Sequence, residues 1–197
     1  MNNRFPSKEH QKNLLVAREI FDRHQGSHFS MARNEEYNQY KSLGISKVQE
    51  RQWAIELAAR YYQMLTSSEN TQERMDWMIS LYFIIIEYQM HTELQLLLDY
   101  YLSNKEKIAR FECLLVAERC IEILKDKNFA NIAKILMFVA ESLLATVNLR
   151  EYSFPEGESM EGSNLETYSE KAMDNRIKRA EEELVRISKT QSLDPVQ

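Results

Sequence analysis

Glycine and proline are scarce. The chain has 4 Gly and 3 Pro in 197 residues, where an average sequence carries about 12% of the two together. Sandwiches, barrels and doubly wound sheets need many tight turns, which draw heavily on these residues. Too few are present to supply them, and no Gly-rich phosphate loop occurs. Only two cysteines are present, Cys113 and Cys120. Seven apart on one predicted helix, they stack two turns from each other, too distant to bridge. They are expected to be buried and reduced, which excludes a disulfide scaffold. The apolar stretch Met78 to Ile86 ends at Glu87, short of the ~20 residues a membrane-spanning helix requires. The opening Met1 to Asn13 lacks the apolar core of a secretory signal. A cytoplasmic chain with no transmembrane segment is therefore expected.

What is abundant points to helix. Met, Leu, Glu, Gln, Lys, Arg and Ala lose little rotamer freedom in that conformation. Ser7 can cap a helix over about 8–23 whose face carries Leu14, Leu15, Ala17 and Phe21, and Gly26 ends it. Ser27 to Gly44 is polar and broken, with Tyr37, Tyr40 and Leu43 able to face inward from a short helix. Ser46 and Gln49 have capping-box spacing and open a helix through Trp53, Leu57, Tyr61 and Leu65. Further amphipathic runs follow over about 72–88, from His91 through Tyr101, over 108–124 and over 132–143. The fold class is all-α: a helical bundle or short stack of helical hairpins.

Two segments repeat at a distance. Met75 to Tyr88 is similar to Phe111 to Leu124, and Thr92 to Leu102 to Phe129 to Val139. Ala133, Met137 and Ala140 give the small, large, small spacing by which this region resembles tetratricopeptide-like repeats. That resemblance covers at most 72–144 and implies helical hairpins of similar size.

Composition changes after residue 149. Residues 150–164 hold Ser, Gly, Pro and four glutamates with hardly an apolar side chain after Phe154, which predicts an acidic flexible linker between a helical domain (1–149) and a C-terminal amphipathic helix and tail (165–197). Residues 151–197 carry 6 basic and 11 acidic side chains, the whole of the net charge of -5. A broad nucleic-acid footprint is not supported. Leu165, Tyr168, Ala172, Ile177, Leu184 and Ile187 form a narrow apolar stripe, which needs either the chain's own bundle or a partner's groove to cover it. Glu181, Glu182 and Glu183, followed by Ser188, Thr190 and Ser192, resemble the C-terminal signals of Dot/Icm type IV secretion effectors. That resemblance implies a bacterial protein translocated into a host cell.

No combination of residues nominates a catalytic, cofactor or metal site. His24 and His28 are four apart, but Gly26 interrupts the helix that would align them, and Gln25 stands where zinc hydrolases place a Glu. His10 and His91 stand alone at predicted helix starts. The default is a non-enzymatic protein-protein interaction module, with a homodimer allowed. Two other classes compete. Leu43 to Lys47 resembles the turn of helix-turn-helix proteins, and a DNA-binding regulator would use Ser46 to Gln52 with a basic surface at Lys41, Lys47 and Arg51. An α-helical enzyme would be signalled by a polar pocket gathering His24, His28, Glu56 or Glu87 with perturbed protonation.

Overall fold

The computed structural model describes residues 7–32, 35–149 and 170–191, and every regular element among them is helical. The predicted linker, together with Leu165, Tyr168 and Ser192, lies outside the described residues. In chain order the helices are α1 (Lys8–Arg23), α2 (His28–Met31), α3 (Glu35–Ser42), α4 (Lys47–Ser67), α5 (Thr71–Glu87), α6 (His91–Asn104), α7 (Arg110–Ile123), α8 (Ala133–Asn148) and α9 (Glu170–Gln191), with a 3₁₀ turn at Lys127–Ile132.

Side chains set the helix starts. Ser7 Oγ accepts from the His10 amide at 3.1 Å and Ser46 Oγ from the Gln49 amide at 3.2 Å. Asn70 Oδ1 does the same for Glu73 at 3.1 Å. Each satisfies an amide that the first helical turn leaves without a partner. Left-handed residues set two of the stops. Gln25 and Gly26 (φ 53° and 72°) reverse the chain after α1, and Gln89 (φ 50°) separates α5 from α6. At Gly26 a Cβ would lie 2.9 Å from the Phe21 ring and 3.3 Å from Leu57, so conformation and space both require glycine. At the second break the Met90 amide bonds back to the Ile85 carbonyl at 2.9 Å, a Schellman-type closure. The apolar text from 72 to 101 is thus two helices.

The chain divides into two compact units: Met1–Ser68 with Asp76–Glu93, and Glu69–Met75 with Leu94–Gln197. The first unit is built on aromatic contacts. Phe21 packs on Trp53 (5.7 Å between centroids) and on Tyr88 (6.3 Å), and Tyr61 on Trp77 (5.4 Å). Leu57, Leu65, Met78, Leu81, Ile84 and Ile85 fill the space between.

In the second unit α7 packs against α8, and α9 lies against both. The core is aliphatic here: Leu114, Val116, Ala117 and Cys120 of α7, Leu136, Val139, Ala140 and Leu143 of α8, and Met173, Ile177, Ala180, Leu184 and Ile187 of α9 are buried. Ala133 and Met137, two members of the tetratricopeptide-like spacing, belong to the buried face of α8 as well. The stretch Lys127–Asn148 has the length and apolarity of a membrane span, with half of its window buried inside the protein.

Candidate functional site

The polar chemistry of the first unit converges on His28, the first residue of α2. Its Nε2 stands 3.2 Å from Glu50 Oε2 of α4, and its Nδ1 stands 3.2 Å from Glu87 Oε1 of α5. Its backbone amide donates to the same Glu87 oxygen at 2.7 Å. The Tyr40 hydroxyl donates to Glu50 Oε2 at 2.8 Å, and the Tyr88 hydroxyl donates to the Gly26 carbonyl at 3.1 Å while lying 3.4 Å from His28 Nε2. The His28 ring also packs against Tyr37, Tyr40 and Tyr88, with centroids 5.8–6.3 Å away.

Electrostatics follow from this geometry. The Glu50 hydrogen bond, reinforced by the charges of Glu50 and Glu87, raises the pKa of His28 against the opposing pull of burial and of Lys41. Burial acts to raise Glu50, but hydrogen bonds from His28 and Tyr40 override it and leave its carboxyl below the ordinary range. Burial dominates at Glu87 and holds it above that range, with the His28 amide and ring charge offsetting only part. Burial, followed by the two carboxylates, raises both Tyr40 and Tyr88. Two glutamates on either side of one imidazole are therefore pushed apart in acidity by their surroundings, an arrangement also met in acid-base sites.

A groove of about 440 Å³ opens beside this cluster, lined by Arg23, His24, Ser27, Phe29, Ile79 and Phe83 among others. Phe29 is 71% exposed and Phe83 is 49% exposed. The groove wall is stiffened by His24 Nε2 on Glu36 Oε2 at 2.8 Å, by the Arg23–Glu36 ion pair, and by the Ser80 hydroxyl donating to Gln25 Oε1 at 3.1 Å. Phe29 of α2 and Ile79 and Phe83 of α5 give the groove its apolar lining, with Ser30 and Ser80 beside them. The carboxylates and ring of the His28 cluster do not line it.

Of the four residues named for an enzyme, the structure joins His28 to Glu87. His24 pairs instead with Glu36, and Glu56 accepts from Arg18 at 2.8 Å on the outer face of α4. Glu50 and Tyr40, the other partners of His28, were not anticipated as a site, because residues 28, 40, 50 and 87 share no helical spacing. No group of three or more His, Cys, Asp or Glu among the described residues is placed to hold a metal ion. Cys113 and Cys120 form no disulfide and are buried, and burial pushes the Cys120 thiol up to about 12, leaving it protonated and inert at neutral pH.

The helix-turn-helix segment forms as helix, turn, helix: α3, then Gly44 at φ 63°, then α4. Several of its prospective base readers are engaged within the fold. Arg51 Nη1 donates to the Tyr88 carbonyl at 2.6 Å, and Gln52 donates to Glu56 at 3.3 Å. Lys41 lies over the Tyr37 ring at 4.2 Å.

In the second unit, Ile177, Leu184 and Ile187 of the C-terminal stripe are buried against α7 and α8, and Ala172 is half-buried. Of the two covers such a stripe can take, α9 has the chain's own body. Met173 and Ala180 complete the seam, giving 173, 177, 180, 184 and 187 at alternating steps of four and three, which is knobs-into-holes spacing. Polar contacts flank it: Arg176 forks onto Glu118 at 2.9 and 2.5 Å and lies 4.9 Å over the Phe111 ring. Two of the three signal-like glutamates take part in this docking. Glu181 accepts from Asn148 at 2.7 Å and Glu183 pairs with Lys125 at 2.8 Å, while Glu182 is exposed.

Compared with protein-family models, curated proteins and solved structures, the chain matches none of them.

Proposed function

We propose that the chain is a non-enzymatic protein-binding module, and that it receives apolar side chains of a partner protein in the groove of the first unit. One observation carries this reading: Phe29 and Phe83 stand 71% and 49% exposed in one groove whose walls are held by hydrogen bonds and ion pairs. Single exposed apolar residues are ordinary. Two aromatic rings with Ile79 between α2 and α5 supply the desolvated anchor that protein interfaces concentrate their energy in. A preformed groove also spares the partner part of the ordering cost. The body α9 lies on is already covered, so the C-terminal stripe is the weaker donor of binding surface.

The test is affinity capture with the full chain beside Phe29→Asp and Phe83→Asp variants, each checked by circular dichroism for an unchanged helical signal. Partners held by the native groove should be lost from both variants. Retention of the same proteins by all three would overturn the reading.

A further inference from the structure

We propose that His28 is a proton-operated latch: as an imidazolium it clamps α2 between α4 and α5, and on giving its proton to solvent it releases α2. Both ring nitrogens face carboxylate oxygens at 3.2 Å, Nε2 toward Glu50 and Nδ1 toward Glu87. A neutral imidazole has one N–H and one lone pair. It can offer an N–H to one of those carboxylates only, which leaves its lone pair 3.2 Å from the other. The doubly protonated ring is attracted to both, so the spacing favours the cation.

The groups facing the ring come from every neighbouring element. Tyr37, Tyr40 and Lys41 belong to α3, Glu50 to α4, Glu87 to α5, and Tyr88 follows α5 directly. Among the charges acting on the ring, Glu50 and Glu87 oppose Lys41, and Lys41 is drawn over the Tyr37 ring. The balance of charge favours a proton on His28. Its ring is 32% exposed, so the proton has a path to water.

Beside the ring, α2 is held by the Ser27 cap on the Ser30 amide, by the Ser30 hydroxyl on the His24 and Ser27 carbonyls, and by its packing on α3. It is four residues long and cannot persist alone, and its opening amide depends on Glu87. Met31 is its one buried anchor. The latch therefore sets how firmly α2, carrying Phe29 into the groove, is held. With the folded pKa of His28 raised, the clamp is complete below about 6.5, the ordinary histidine value, and is lost as pH rises through the folded value. On the acid side it ends when Glu87 is protonated, which burial brings about above its ordinary value of 4.5.

The latch stands apart from any partner, and its test uses none. The ring protons of the four histidines of the full chain are followed by NMR between pH 5 and 9.5, with His28→Gln assigning the resonance. Amide exchange protection of Met31 and Ala32, which bond back to Ser27 and His28, is measured over the same range after correction for intrinsic rates. His28 should titrate above 6.5. Protection should fall about tenfold for each unit by which the folded pKa exceeds that value, and His28→Gln should show the lower protection at every pH. Titration at or below 6.5, protection that ignores pH, or a His28→Gln variant that keeps the native pH dependence would each overturn the proposal.

Discussion

Each unit of this protein holds a cluster made of one cation, carboxylate and tyrosine, and the two differ in the cation. In the second unit Glu112 of α7 has 0% exposure and is gripped by Arg74, whose Nη2 lies 2.9 Å from Oε2, with the Tyr101 hydroxyl donating to Oε1 at 3.0 Å. Arg74 also reaches the Glu69 carbonyl at 3.0 Å and Thr71 Oγ1 at 3.2 Å, so each of its three nitrogens has an acceptor. Burial works against its charge and Glu112 more than restores it. A guanidinium does not lose its proton in a protein, which makes this cluster a permanent fixture. The first unit places a half-buried histidine among Glu50, Glu87, Tyr40 and Tyr88. Similar partners around an imidazole give an arrangement whose strength depends on pH.

The contrast breaks most visibly at Arg74. Arg74→Met leaves Glu112 buried without its cation and should cost about 3–5 kcal/mol, the usual range for a buried pair with one member removed. A large fall in the urea midpoint, with no recovery between pH 6 and 9, is the expected outcome. Next comes the cover of the second unit. Leu184→Ala removes a side chain from the α9 seam at its buried centre and should cost about 2 kcal/mol, read as a lower melting temperature and faster proteolysis within α9.

Smaller, but more telling for the comparison, is His28→Gln. Its loss should be about 1 kcal/mol at pH 6, below the usual range for hydrogen bonds to charged groups because the ring is partly solvated, and it should vanish by pH 9. Denaturation at the two pH values gives both numbers, and an equal loss at each would remove the distinction between the clusters. At the bottom of the scale, Arg186→Ala deletes an exposed i,i+3 partner of Glu183. It should leave the urea midpoint unmoved, since such surface pairs are screened and contribute little.

Much of the fold was legible in local text. Ser7, Ser46 and Gln49 announced two helix starts because capping depends on neighbours three residues apart. Gly26 announced a stop for the same local reason. The break at Gln89 was less visible: a left-handed glutamine carries no sequence mark, and only the backbone closure from Met90 to Ile85 reveals it. The apolar stripe of α9 was readable as needing a cover, while its place on α7 and α8 shows only in contacts far apart in sequence, such as Arg176–Glu118, 58 positions apart. The His28 cluster was hidden for the same reason. Its members come from four helices, and nothing in the spacing of 28, 40, 50 and 87 distinguishes them from solvated polar residues.

The position of α9 at the end of the chain bears on how the protein is made. Val147 is the last buried residue of α8, yet Ile187, the last buried residue of α9 among the described residues, is translated 40 residues later. At about 5–20 residues per second, the hairpin of α7 and α8 waits roughly 2–8 seconds on the ribosome with its aliphatic face bare. During that interval the nascent chain is a substrate for any factor that shields apolar surface, and a stalled or truncated translation product would be left permanently sticky.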